Sequence, residues 1–248
     1  MRHFLLALFI ALAATAAATV SLPDETLDYV VTYKWGVIHK DAGDATLTLR
    51  NKGNDYVMTL TGRSKPWADR IYRVRDTLTA IVSREGFRPR RYVKAAHEDG
   101  KYMLDVVDYG REGNTTVGKV SLTRVRKGKT SRSERRLSVN GEAFDMLSIF
   151  YYIRLLDFRA MKQGQTMKST VFSGSKSETV SITFKGRERV KTRATGVTEA
   201  YRVTFSFTTD GKKKSSDDME AWISTDSTHK VLRIIGRLPV GQVRVELR

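Results

Sequence analysis

The chain has 248 residues and no cysteine, and its 44 Lys and Arg against 27 Asp and Glu give a formal net charge of +17. Without cysteine there can be no disulfide scaffold, thiolate zinc centre, thiol nucleophile or lipid-modified cysteine anchor. The length supports one large β domain or two small ones held by burial alone, and the positive surface favours polyanionic partners.

At the start of the chain, Arg2, an apolar run from Phe4 to Ala14, and the small residues Ala16 and Ala18 have the three parts of an export signal cleaved before Thr19. The apolar run is shorter than the roughly 20 residues a membrane-spanning helix needs. Residues 1–18 are therefore expected to be a signal peptide, and residues 19–248 a single β-rich exported domain, periplasmic or secreted. Removing Arg2 lowers the charge to +16. In that setting the polyanions are an anionic lipid, lipopolysaccharide or a glycan, and nucleic acid is not expected.

Period-two alternation begins at Tyr29, Val31, Tyr33 and Trp35 and resumes at Ala45, Leu47 and Leu49, the mark of strands with one buried face. Asn51-Lys52-Gly53-Asn54 is a turn signal leading into Tyr56, Met58 and Leu60. After a less regular stretch at Ser64 to Tyr72, strand patterns recur at Thr77–Ser83, Tyr92–Ala96, Tyr102–Tyr109 and Lys119–Arg126, separated by Gly-containing polar turns.

The period changes to three-to-four spacing once, over 141–162, where Phe144, Leu147, Phe150 or Tyr151, and Arg154 or Leu155 recur; this predicts a helix lying against the sheet. Asn140 or Asp145 is placed to cap its start and Gly164 to help end it. Strand patterns then return at Thr166–Val171, Thr179–Phe184, Arg189–Thr195, Ala200–Thr208, Met219–Thr225, Val231–Leu238 and Gln242–Leu247. The expected fold is all-β with one helix: an antiparallel barrel-like sheet, or two curved half-barrel sheets packed around that helix. A loose echo between the halves leaves open two similar parts, 19–139 and 163–248, joined by the helix.

The order Tyr33-Lys34-Trp35-Gly36, Ala42-Gly43-Asp44-Ala45-Thr46-Leu47, Phe144-Asp145-Met146-Leu147-Ser148, Tyr151-Tyr152-Ile153-Arg154, Ala221-Trp222-Ile223-Ser224-Thr225-Asp226 and Gly241-Gln242-Val243 resembles the bacterial exported family catalogued as domain of unknown function 3108. The resemblance covers nearly the whole chain after the expected leader. It implies an antiparallel β-rich fold in Gram-negative bacteria and brings no catalytic residue with it. The chain departs from the family pattern at Ser227-Thr228-His229-Lys230-Val231, where a proline is usual.

No catalytic or metal motif stands out, and no cofactor is expected. His39, His97 and His229 lack metal-ligand spacing, and Ser173-Gly174-Ser175 lies in a polar turn without a nucleophile elbow. Carboxylate pairs for glycoside hydrolysis can be drawn from Asp69, Glu98, Asp105, Asp108, Asp217, Asp218 and Asp226, but sequence does not give their separation.

Trp35, Trp67 and Trp222, with Tyr72 and Asp226, are candidates for an aromatic ligand platform. Lys185, Arg187, Arg189, Lys191 and Arg193 occupy alternate positions, so an extended strand would aim five cations at one face for phosphate or carboxylate groups. Two more basic clusters lie at Arg124–Arg136, read as a polar Ser-rich connection, and at Arg84–Arg91.

The reading that joins these features is a non-catalytic binding or carrier module for an anionic or amphiphilic envelope component. A hydrolase acting on envelope glycans through carboxylates near Trp67 or Trp222, and an assembly factor binding another envelope protein, are the alternatives.

Overall fold

A computed structural model describes residues 22–209, 213–214, 218–238 and 240–248. The expected signal peptide and the candidate carboxylate Asp217 lie outside these residues. The first run of strands is β1 (Glu25–Trp35), β2 (Ile38–Lys52), β3 (Asp55–Ser64), β4 (Val74–Ser83), β5 (Arg88–Glu98), β6 (Lys101–Glu112), β7 (Thr115–Arg126) and β8 (Lys129–Asn140). The short β9 (Ala143–Phe144) precedes the second run: β10 (Thr166–Ser173), β11 (Lys176–Thr192), β12 (Gly196–Thr209), β13 (Lys213–Lys214), β14 (Met219–Ser224), β15 (Val231–Arg237) and β16 (Gln242–Leu247). Among the described residues two α-helices interrupt them, α1 (Pro66–Asp69) and α2 (Ser148–Arg154), with a short 3-10 turn at Glu85–Phe87.

All these strands share one sheet, ordered β8-β7-β6-β5-β4-β3-β2-β1-β16-β15-β14-β12-β11-β10-β9, with β13 beside β12. The first and last of these strands meet in its middle, where β1 and β16 pair antiparallel with Tyr29 opposite Leu247. Its two edges, β8 and β9, are separated by only Gly141 and Glu142 along the chain. The sheet therefore curls into a nearly closed barrel, as the alternating pattern predicts.

One core runs through both halves. Leu49, Met58, Val82 and Val107 from the first run, and Phe172, Ile182, Tyr201, Val203 and Ile223 from the second, are fully buried. Burying each such side chain contributes roughly 1.5–3 kcal/mol. Tyr151 of α2 and Leu156 and Phe158 just after it join the same cluster.

The helix expected over 141–162 is much shorter. Ala143 and Phe144 instead pair in parallel with β10, opposite Thr170 and Val171. The Asp145 carboxylate then accepts the amides of Leu147 and Ser148 at 2.8 and 2.7 Å, so the helix starts only at Ser148. It ends at Arg154 in tight turns, with the amides of Leu155 and Leu156 bonded to the carbonyls of Tyr152 and Ile153. The apolar spacing that predicts a long helix reflects a segment buried nearly all round.

Three further differences have local causes. The less regular stretch after Ser64 contains α1, begun by Pro66 at its first turn, with Lys65 extended before it at φ −76° and ψ 159°. Lys129–Asn140 is a strand, not a connection, and it lacks a hydrophobic signature because it is an edge strand with no fully buried side chain. Thr179–Phe184 and Arg189–Thr195 are parts of one strand, β11, whose pairing with β12 shifts between Phe184 and Gly186 at a bulge where Gly186 has φ 105°.

Candidate functional site

The two ends of the barrel differ. One is plugged by α2: Tyr152 lies 4.5 Å from the Phe144 ring and 6.3 Å from Phe87, and Phe87 lies 6.1 Å from Tyr56. Arg154 anchors the plug through a buried ion pair with Glu25, at the start of β1, and a 3.0 Å hydrogen bond to the Thr228 carbonyl. Antiparallel alternation sends the β1–β2 turn, the β3–β4 connection carrying α1, and the β15–β16 turn to the other end.

At that end lies an apolar cavity of about 560 Å³, bounded by Val31, Tyr33, Ala45, Gly62, Trp67, Ala68, Ile71, Tyr72, Leu238 and Val243 among others. Its volume falls within the roughly 300–1,000 Å³ of small-ligand sites. Small side chains make the space. Tyr56, Met58 and Leu60 form a row along β3 that continues at Gly62, and a carbon added there meets no atom within 4 Å. Gly43 has a different reason to be glycine: an added carbon would lie 2.8 Å from the Arg63 carbonyl oxygen, where the β1–β2 ladder slips past Ala42.

Hydrogen bonds hold α1 over the cavity. The Trp67 indole N–H donates to the Asp41 carbonyl at 2.8 Å, and the Lys65 amide to the Ala42 carbonyl at 2.7 Å. Arg75 grips the Asp69 carboxylate at 2.7 Å, and Ser64 also donates to it; Arg75 and then Ser64 hold this carboxyl below its ordinary range. The Tyr72 hydroxyl donates to Glu98 at 2.8 Å, which raises its pKa.

On the other side of Trp67 is an open recess of about 540 Å³ lined by Thr32, His39, Lys40, Asp41, Lys65, Trp67 and Arg193. The Lys40 ammonium sits 5.0 Å from the Trp67 ring centroid. Arg193 forks onto Asp41 at 2.6 and 2.9 Å, and this pairing holds the Asp41 carboxyl below its ordinary range. Trp67 thus has an apolar cavity on one side and a cation-rich recess on the other.

Trp67 and Tyr72 line the cavity, and Trp35 stands nearby at the end of β1, more than half exposed. Trp222 and Asp226 belong elsewhere. Trp222 is buried, bonded to Glu188 at 2.6 Å and flanked by Arg202 and Arg233 at 5.8 and 5.6 Å from its ring. Burial pushes Asp226 up, but bonds from the hydroxyl and amide of Thr228 and from Ser224 outweigh it and leave the carboxyl below its ordinary range in a turn.

The five alternating cations of β11 and its turn divide. Arg193 reaches the recess, where it pairs with Asp41; it also lies near Glu246. Arg187 stacks on Tyr201 at 5.1 Å, while Lys185, Arg189 and Lys191 are exposed. The slip at Gly186 breaks the uniform row that strict alternation predicts, because Lys185 is the extra residue.

The histidines are dispersed: His39 lines the recess, His97 lies 4.6 Å from the Tyr102 ring, and Nδ1 of His229 is 2.8 Å from the Arg154 carbonyl. Lys40, Lys65, Ile71, Leu238 and Gly62 were not singled out by sequence reasoning. Gly62 carries the one available signal, a glycine ending an inward-facing row inside a strand.

A nearly closed antiparallel barrel, plugged at one end and holding an apolar cavity at the other, defines a β-barrel-like protein with a candidate ligand pocket. The family described as "Protein of unknown function (DUF3108)" matches residues 28–248, and the chain belongs to it. The fold is similar to that of the β-barrel-like protein of domain of unknown function DUF1849 from Brucella abortus, a crystal structure, with a TM-score of 0.62 and 12% identity over 92% of this chain and 97% of that one. No curated protein matches the chain.

Proposed function

We propose that this protein is an exported, periplasmic or secreted binding or carrier module for an anionic amphiphile, a lipid or lipid-linked glycan of the cell envelope. One observation carries the reading: Trp67 forms a wall common to the apolar cavity and the basic recess. An apolar tail fills the cavity above Gly62, and Lys40 and Lys65 receive a phosphate or carboxylate head beside Trp67. Each methylene taken from water into such a cavity adds roughly 0.8 kcal/mol, so tail length dominates affinity and the head sets selectivity. Arg193 is already paired with Asp41, so its role is to neutralise that carboxylate and leave Lys40 available to the ligand, while Lys65 holds only a loose contact with Asp44, 4.0 Å away.

The test is native mass spectrometry of the protein purified gently from the cells that make it, beside a Gly62→Leu variant. The wild-type chain is expected to retain one anionic amphiphile and the variant none, with the variant at least as stable to heat because a leucine fits a strand better than glycine does. A wild-type chain that carries nothing, and that binds no anionic lipid on titration, refutes the reading.

A further inference from the structure

Among the described residues, nine large apolar side chains are strongly exposed, and seven of them stand on three neighbouring segments: 35–38, 71–72 and 238–240. Val37 is wholly exposed, Ile71 is 73% exposed and Val240 53%. The segments adjoin one another. The Tyr33 hydroxyl donates to the Val240 carbonyl at 2.9 Å, a carbon added at Gly241 would lie 3.1 Å from Cβ of Trp35, and Ile71, Tyr72 and Leu238 line the same cavity mouth. An apolar rim this concentrated marks an interaction surface, since isolated exposed apolar side chains would scatter.

The charge around the rim decides what covers it. Residues 34–41, 69–73 and 237–241 hold five Lys and Arg, namely Lys34, Lys40, Arg70, Arg73 and Arg237, against two carboxylates, Asp41 and Asp69. Two more carboxylates border the rim: Glu98, which accepts the Tyr72 hydroxyl, and Asp44, which lines the cavity. Each of the four already faces a cation, Arg193, Arg75, Lys94 or Arg248, whereas all five cations of the rim segments are exposed. A second copy would bring like charge against like charge. An anionic bilayer supplies the opposite charge and an apolar interior, and an indole flanked by cations suits its interface.

We infer that the open end of the barrel docks on an anionic lipid bilayer, with Trp35, Val37 and Ile71 entering the interface, the cations on the headgroups, and the cavity mouth facing the membrane. This rests on the cavity reading only for its purpose, the passage of an amphiphile between bilayer and cavity; docking stands on the rim alone.

The experiment is flotation of the purified protein with phosphatidylcholine vesicles, with and without phosphatidylglycerol. Binding is expected only with phosphatidylglycerol, and to fall with salt. Val37→Glu and Ile71→Glu, which alter exposed side chains, should each weaken it about tenfold or more, and Arg70→Gln about fivefold. Trp35 emission should shift to the blue on binding, and Trp35→Phe should remove that shift.

Gly62→Leu separates the two proposals, because it should float like the wild type while retaining no amphiphile. A wild-type chain that retains an amphiphile but never floats overturns docking and leaves the cavity reading standing. Flotation without any retained or titrated amphiphile does the reverse. A dimer in solution that Val37→Glu dissociates, together with no vesicle binding, assigns the rim to a second copy and also overturns docking.

Discussion

A carbon added at Gly118 on β7 would lie 2.7 Å from Cδ2 of Phe172, closer than packed carbons approach. Phe172, from β10 across the interior, lies flat against Tyr109 at 5.6 Å and 11°, so its ring fills the space that a side chain at 118 would need. Gly118→Ala should therefore destabilise the protein by about 1–3 kcal/mol, as overpacked cores do, measured as a lowered urea midpoint. Gly62 is the opposite case, with open space where its side chain would be. Both are glycines inside strands, β3 and β7, and the sequence does not tell them apart, because what a missing side chain faces depends on strands distant along the chain.

At the scale of the element, α2 is a plug held by charge. Arg154 is almost wholly buried and pairs with Glu25 across 129 residues of chain. Removing one partner leaves the other charge buried and unpaired. Glu25→Ala should then cost about 3–5 kcal/mol by chemical denaturation, and a second change, Arg154→Met, should recover much of that loss.

The turn before α2 adds a pH dependence. Burial pushes the Asp145 carboxyl up to about 6, against hydrogen bonds from Ser148 and Leu147 that pull it down. Its folded pKa lies above its unfolded value, so its contribution to stability is complete below about pH 3.9 and is lost as pH rises through about 6. Between pH 7 and pH 5 the protein should gain about 1 kcal/mol from this group, read as a higher denaturation midpoint, and Asp145→Asn should abolish that part of the gain. The sequence offers Asn140 or Asp145 as a cap; Asp145 bonds the amides of Leu147 and Ser148, but the residue before the helix is Leu147, and this late start was not legible, because the pairing of Ala143 and Phe144 with β10 depends on residues beyond the helix.

Across the whole molecule, the sheet is held at its centre by the pairing of its first and last strands, β1 and β16. Deleting residues 242–248 would strip β1 and β15 of their shared neighbour and expose two unpaired strand edges. Such a truncation should not yield a folded monomer; circular dichroism and size exclusion would show unfolded or aggregated chain. The same pairing gives the barrel two unlike ends, since every turn lying beside the β1–β2 turn must face the way it does. The apolar side chains at 35–38, 71–72 and 238–240 are far apart in sequence and become one rim only through it.

Local patterns in the sequence determined the strand-rich class, most strand positions, the placing of a helix between two strand runs, and the family, because alternation, turn residues and charge are properties of neighbouring residues. Trp67 and Tyr72 could be marked as candidates for the same reason: an aromatic beside a turn is visible locally. Tertiary structure alone decided that these two line a cavity while Trp222 is sealed between Arg202 and Arg233, and that Arg193 neutralises Asp41 from 152 residues away. It also decided where the sheet leaves space. A cavity is the region that no side chain fills, and its outline is set by the pairing of β1 with β2 and β16 and of β2 with β3, together with the seating of α1 above them.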